Sequence, residues 1–458
     1  MKFVRGRMRR NFCLAWLMLG ICDSSLSVNQ SAMMKHFGTF YNGCARSLRS
    51  TISKINYAPV VNLLSSRVAK IGGIATLGCL AGLVLRHYRT RAVVAPPMHE
   101  PRIAHQAQDL PPEQMEGLAR PVRIGRKFYN VQDGTHSRLE PLNCFIDSTF
   151  IGLSTKVNDF GVALKRLLNR TREADRNAWR MVPQLRDLEP TDAPTITWIG
   201  HSTFLIQING LTILTDAIFG DLSFAYKRRV RPVVAPEDLP HVDVVLLSHN
   251  HRDHMDTKSL LAIRHHRPLV LVPTNNGGWF RSNGFTDVVE KSWWQQERIV
   301  RTDARGHEYV TNLTCVPAQH WSTRMLVMGN NDALCSGWHI ADHASGSSIY
   351  FAGDTAYNQR FFEQIRNTLG APTVALMPIG PNEPRSFMDQ AHMSTEQAVD
   401  ATRIMQPTTC IPMHHATFGL GIDAFDGPIN RLRRLAPDGR IDHTRVITDF
   451  KFGQQFQV

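Results

Sequence analysis

Acidic residues are nearly missing from the front of this 458-residue chain: residues 1–99 hold fourteen Lys or Arg against one acid, Asp23. That segment carries the whole formal net charge of +13, because the remaining residues divide into 38 bases and 38 acids. A neutral body lacks the field that draws polyanions from a distance, so no nucleic acid is expected among the partners. Also missing is any C-x-x-C pair. The eight cysteines (13, 22, 44, 79, 144, 315, 335 and 410) offer neither a disulfide framework nor a thiolate zinc site. Those beyond residue 100 read as small buried hydrophobes.

Long apolar runs are scarce too. Phe12 to Cys22 is too short to cross a bilayer and resembles the core of a signal segment. Residues 31–70 contain Ser, Lys and Arg but no acid, the composition of a mitochondrial presequence. Ile71 to Leu85 is uncharged and is flanked by Arg67, Lys70, Arg86, Arg89 and Arg91, whose stems can extend its reach across a membrane. Gly78 and Gly82 form a G-x-x-x-G pair through which two such helices can approach, making a homodimer. Pro96, Pro97, Pro101, Pro111 and Pro112 then read as a linker. The expected organisation is a basic targeting region (1–66), a transmembrane helix (67–91), a Pro-rich linker (92–125) and a catalytic domain (126–458). The mitochondrial inner membrane is the expected location, with a secretory or bacterial membrane as the alternative.

From about residue 193 short β-rich runs begin. Phe204 to Ile208 and Leu211 to Leu214 flank Asn209-Gly210, a strong two-residue hairpin signal. Val242 to Leu247 reads as a buried strand, and helical periodicity follows at Ser259 to His265, Gln359 to Thr368 and Thr395 to Met405. Strands are also expected at 195–198, 269–272, 313–317, 348–351, 374–377 and 409–412. Several lead directly to a His or Asp, and strand ends can hold such side chains rigidly beside open loops.

What the chain does have is an H-x-H-x-D-H cluster, His249, His251, Asp253 and His254, straight after the Val242 to Leu247 strand. Four ligand-type side chains in six residues are too many for one compact turn to aim at a single tetrahedral zinc, so two ions divide them. Further ligands come from later strand ends. The expected sets are His249, His251 and His320 on one ion and Asp253, His254 and His414 on the other, with Asp354 shared. His415 is the alternative to His414. Burying so many imidazoles and carboxylates together is costly unless a cation offsets their desolvation.

These residues resemble the metallo-β-lactamase-fold hydrolases, and more narrowly the N-acyl-phosphatidylethanolamine-hydrolysing phospholipase D branch. The similarity runs through Trp198-Ile199-Gly200-His201, Leu214-Thr215-Asp216, Ser248 to Asp256, Gln319-His320-Trp321, Ala352-Gly353-Asp354 and Pro412-Met413-His414. Glu383-Pro384-Arg385 and His392-Met393 carry the narrower likeness, whereas His415-Ala416 stands where that branch usually has Trp-Gly.

The resemblance implies an α/β fold, an αββα sandwich with the N-terminal targeting and anchor extension attached. It also implies two Zn2+ ions and a membrane phospholipid substrate. Asp216 and His201 would orient metal ligands, Asp253 would accept a proton, and His392 would stabilise the transition state or protonate the leaving alkoxide. Arg385 would contact a phosphate or form a structural ion pair. A zinc lactonase or soluble phosphodiesterase of the same fold is the competing reading.

Overall fold

The computed structural model describes residues 103–129, 194–222, 227–303, 305–324 and 331–458. The targeting region, the expected transmembrane helix and the start of the linker lie outside them. Among the described residues no helix is long and apolar enough to cross a membrane.

The strands are β1 (Ile103–Asp109), β2 (Val122–Ile124), β3 (Lys127–Tyr129), β4 (Thr195–Gly200), β5 (Thr203–Ile208), β6 (Leu211–Thr215), β7 (Val244–Leu246), β8 (Leu269–Pro273) and β9 (Val288–Lys291). They continue as β10 (Gln295–Thr302), β11 (Glu308–Pro317), β12 (Ser336–Asp342), β13 (Ser348–Phe351), β14 (Val374–Pro378), β15 (Thr409–Met413), β16 (Arg440–Ile441), β17 (Thr444–Val446) and β18 (Gln455–Gln457). The helices are α1 (Thr257–Ile263), α2 (Gly277–Ser282), α3 (Gln359–Leu369), α4 (Arg385–Met388), α5 (Thr395–Met405) and α6 (Gly427–Leu435).

Two sheets result, ordered β18-β4-β5-β6-β7-β8-β9 and β1-β10-β11-β12-β13-β14-β15-β17-β16, with β2 and β3 forming a separate hairpin. Both are mixed. β6, β7, β8 and β9 run parallel in the first, as do β13, β14, β15 and β17 in the second. The period-two alternation of strands explains the layers. Phe204, Ile206, Val244 and Leu246 face a core shared with Leu313, Trp338, Phe351 and Ile411 of the second sheet. Leu205, Val245 and Leu247 point the opposite way, to a second cluster with Leu260 and Ile263 of α1 and Phe280 of α2.

Helices α3 and α5 join the second sheet through Phe361, Phe362, Ile365, Val399 and Met405. Each such side chain contributes about 1.5–3 kcal/mol when fully buried, so both helices are held chiefly by these faces. The order is helix, sheet, sheet, helix, as the αββα expectation required. At the expected hairpin, Ile208 pairs with Leu211, and Asn209 and Gly210 both take positive φ, 56° and 69°.

One boundary differs. The stretch expected to be linker contains β1, which pairs antiparallel with β10 from Ile103↔Arg301 to Asp109↔Gln295. Ala119 is buried, and its carbonyl accepts a 2.7 Å hydrogen bond from Trp294 Nε1. Pro111 and Pro112 terminate an edge strand and open a 3-10 turn, where a missing N–H costs nothing. The sandwich therefore begins no later than Ile103, not at residue 126.

Candidate metal centre

Six segments bring their ends to one place. His201 follows β4, Asp216 follows β6, Ser248 to His254 follow β7, His320 follows β11, Asp354 follows β13 and His414 follows β15. Three of these residues have left-handed backbone: His201 (φ 56°), Asp216 (φ 33°) and His414 (φ 59°). Non-glycine residues there cost about 1–3 kcal/mol each, a strain that clusters at functional sites.

Asp354 is the hub. Its Oδ2 lies 3.0 Å from His254 Nε2 and 3.0 Å from His414 Nε2. His320 Nε2, His392 Nδ1 and His249 Nε2 stand 3.8, 3.8 and 3.9 Å away. To one side, His251 Nδ1 is 2.8 Å from His249 Nε2 and 3.1 Å from His320 Nε2. To the other, Asp253 Oδ2 is 3.5 Å from His254 Nε2 and 3.7 Å from His414 Nε2. His249, His251 and His320 form one group of mutually close donor atoms, and His201, Asp253, His254 and His414 form another.

The outward ring nitrogens fix which nitrogen of each ring points inward. His254 Nδ1 is 2.7 Å from Asp216 Oδ2, His320 Nδ1 is 2.7 Å from the Ala391 carbonyl, and His414 Nδ1 is 2.8 Å from the Gly380 carbonyl. Each acceptor keeps the hydrogen on Nδ1 and leaves Nε2 facing the hub. Ser248 extends this network: its hydroxyl donates to Asp216 Oδ2 at 2.6 Å and sits 2.9 Å from His249 Nδ1, while its amide donates to Asp216 Oδ1. His201 Nε2 is 3.0 Å from Asp253 Oδ2. The two carbonyls were missed from the sequence, because a backbone oxygen leaves no side-chain signal, and the sequence marks Ser248 only as the start of the motif run, not as a partner of Asp216.

Electrostatics divide the histidines into two kinds. Burial pushes His249 and His392 well below the ordinary imidazole range, His251 to about 3 and His320 to about 4, so these rings are neutral and able to ligate. Burial also opposes charge on His254 and His414, but Asp354 and Asp253 outweigh it and raise His414 to about 9 and His254 well above its usual value. The same imidazoles overcome the burial of Asp354 and Asp253 and hold both carboxyls well below the carboxylate range.

The remaining expected residues separate. His392 reaches the hub from the segment between α4 and α5, with its ring 5.0 Å from that of His320. Arg385 is tied to structure: Nη2 lies 2.6 Å from Asp389 Oδ1 and 2.6 Å from the His392 carbonyl. His415 turns away, its ring 5.0 Å from Trp198, so His414 is the member of that pair at the hub. Beside His201 and His414 a small open cleft is lined by Arg229, Phe418, Leu420 and Phe425.

The donor set fits a divalent cation. Asp354 Oδ1 and His392 Nδ1 are buried without a hydrogen-bond partner, an arrangement that costs free energy until something electropositive meets it.

Residues 212–415 match the family described as "Beta-lactamase superfamily domain". The chain is 28% identical over 343 residues to N-acyl-phosphatidylethanolamine-hydrolyzing phospholipase D 1 of Caenorhabditis elegans, covering 71% of this chain and 90% of that protein. It is 30% identical over 249 residues to the mitochondrial N-acyl-phosphatidylethanolamine-hydrolyzing phospholipase D of Saccharomyces cerevisiae, 53% of this chain but only 52% of the yeast protein. The structure of a possible metal-dependent hydrolase from Veillonella parvula superposes with a TM-score of 0.45 at 18% identity, over 58% of this chain and 100% of that one. The matched segment, the mixed-sheet sandwich and the donors gathered at its strand ends support a metallo-β-lactamase-type fold with clusters suited to one or two metal ions.

Proposed function

We propose that this chain hydrolyses N-acyl-phosphatidylethanolamine, or a related membrane phospholipid, between phosphate and ethanolamine, giving phosphatidate and an N-acylethanolamine. The observation that carries this reading is the donor cluster around Asp354, with Phe418, Leu420 and Phe425 beside His414 as apolar neighbours. The worm relative, matched over 90% of its length, supports it by name.

In this reading His249, His251 and His320 hold one zinc, Asp253, His254 and His414 hold another, and Asp354 is shared. Bound, the ions supply Lewis acidity to the phosphoryl oxygens and make water a nucleophile at neutral pH. The new bond joins water oxygen to phosphorus, and the bond to the ethanolamine oxygen breaks. Asp253 takes the water proton. His392, kept neutral by burial, presents its N–H to the negative charge growing on the leaving oxygen. Asp216 and His201 orient the rings and carboxylate that do the holding.

The N-terminal segment completes the proposal. Residues 1–66 address the chain, 67–91 anchor it, and the inner mitochondrial membrane is the destination, a placement that the word "mitochondrial" in the yeast relative's name supports. Deleting residues 1–91 should abolish hydrolysis of bilayer substrate while leaving a water-soluble ester unaffected. Unchanged activity on liposomes would remove the anchor from the mechanism.

Mass spectrometry of products tests the reaction itself. Zinc-loaded protein with substrate in mixed micelles should release phosphatidate and N-acylethanolamine, and its Asp354→Asn variant should release neither. Absence of lipid cleavage with both metals bound would transfer the assignment to a lactonase or soluble phosphodiesterase.

A further inference from the structure

We infer that the β2–β3 hairpin is a docking element that seats the protein on an anionic lipid surface. Among the described residues three large hydrophobic side chains are exposed, and Ile124 at 65% stands well apart from Ile422 and Leu435 at 38% each. A single exposed apolar residue is ordinary on any surface. This one sits at a hairpin tip, next to a two-residue turn that Gly125 opens with a φ of 62°.

Around it are Arg120, Arg123, Arg126 and Lys127, and no acid occurs between Glu116 and Asp133. Arg120, Arg123 and Arg126 are exposed. An exposed apolar tip with cations beside it in the chain, Lys127 its cross-strand neighbour and Arg126 in the turn, is the chemistry of an interfacial membrane contact: the tip enters the headgroup boundary while the cations meet lipid phosphates. A polyanion such as nucleic acid would use the charges but gain nothing from the isoleucine.

The hairpin is held in place and held near the hydrolytic centre. Phe128 packs against the main core, with Arg123 5.7 Å over its ring. The Phe128 amide donates a 2.7 Å hydrogen bond to the Asn331 carbonyl, and the Asn331 amide donates at 2.7 Å to the Ser322 carbonyl. Ser322 follows Trp321, whose ring lies 4.6 Å from that of His251. The hairpin is thus coupled to the segment that leaves the donor cluster, so seating it on a bilayer would bring that face toward lipid. Only this last benefit rests on the proposed lipid substrate; the docking itself does not.

Hydrogen–deuterium exchange of the full zinc-loaded chain is the test, because it reads the hairpin separately from any contact made by residues 1–99. With vesicles of phosphatidylcholine and phosphatidylserine, amides of residues 122–129 should exchange several-fold more slowly than without vesicles, and pure phosphatidylcholine should have little effect. Each basic side chain near such a surface strengthens binding about fivefold. The triple change Arg123→Ser, Ile124→Asp and Arg126→Ser should therefore erase the slowing, while exchange in β5 and β7 stays as in the parent and certifies the fold. Unchanged hairpin exchange on vesicles that carry the protein down in a centrifuge would overturn the inference, as would protection surviving the triple change. Equal slowing by heparin would make the hairpin a general polyanion contact and overturn the lipid assignment. No arm measures hydrolysis, so this inference and the proposed reaction fail separately.

Discussion

Gly353 and Ser248 press the second sheet against the first: a Cβ on Gly353 would stand 2.5 Å from Ser248 Cβ and 3.0 Å from its Oγ. Gly353 also has a φ of 61°, so two independent constraints require glycine immediately before the hub Asp354.

Gly353→Ala should therefore force apart the loops carrying Asp354 and His249. Overpacking plus left-handed backbone predicts a loss of about 2–4 kcal/mol. Chemical denaturation of the metal-free protein measures it, and metal titration should show weakened binding. A variant of parental stability would mean that the loops separate without cost.

Asp216 receives three hydrogen bonds, from His254 Nδ1, the Ser248 hydroxyl and the Ser248 amide. Asp216→Asn turns one acceptor into a donor aimed at donors. Metal affinity should fall about 10- to 100-fold, read by competition with a chromophoric chelator. Loss of affinity without gross unfolding would separate orientation of His254 from scaffold damage.

The donors were legible in the sequence because each follows a short, largely apolar run. His249 to His254 stand after β7, and Asp354 and His414 terminate buried strands, where a polar residue has no packing reason to be. β12 was not legible. It contains Gly337, which reads as a breaker, yet a Cβ there would meet the Phe351 carbonyl at 2.8 Å, so the glycine permits close strand approach. β1 was hidden for a different reason: most of it is exposed at a sheet edge, so His-Gln-Ala-Gln-Asp carries little hydrophobic alternation.

His339 supplies a pH prediction away from the donor cluster. It is buried in β12, its Nε2 has no hydrogen-bond partner, and burial lowers it from 6.5 to about 4. The unfolded chain therefore takes up this proton first as pH falls. The destabilisation begins near pH 6.5, grows down to about 4 and levels off below, reaching up to about 3 kcal/mol. His339→Gln should remove that share, so the stability gap between variant and parent should change by this amount between pH 7 and 4 in denaturation curves. A gap independent of pH would show that the ring stays solvated.

Arg385 offers the sharpest separation of two roles. Its Nη2 bonds the His392 carbonyl and Asp389 and lies 3.2 Å from Gln397 Oε1, while Gln397 closes the capping box of α5 with Ser394. One guanidinium thus ties α4, the His392 loop and the start of α5 together, and adds to the backbone bonds His392 N–H to Met388 carbonyl and Met393 N–H to Thr355 carbonyl that hold His392 near Asp354. Arg385→Ala should free the loop and lower kcat about 10- to 100-fold, as misplacement by an ångström does, with bound metal unchanged by elemental analysis. Arg385→Lys, able to reach one partner but not several in a planar fork, should recover only part. Had the guanidinium instead bound substrate phosphate in both ground and transition states, the alanine change would raise KM and spare kcat. Initial rates across a substrate series decide between a residue that positions His392 and one that grips the substrate.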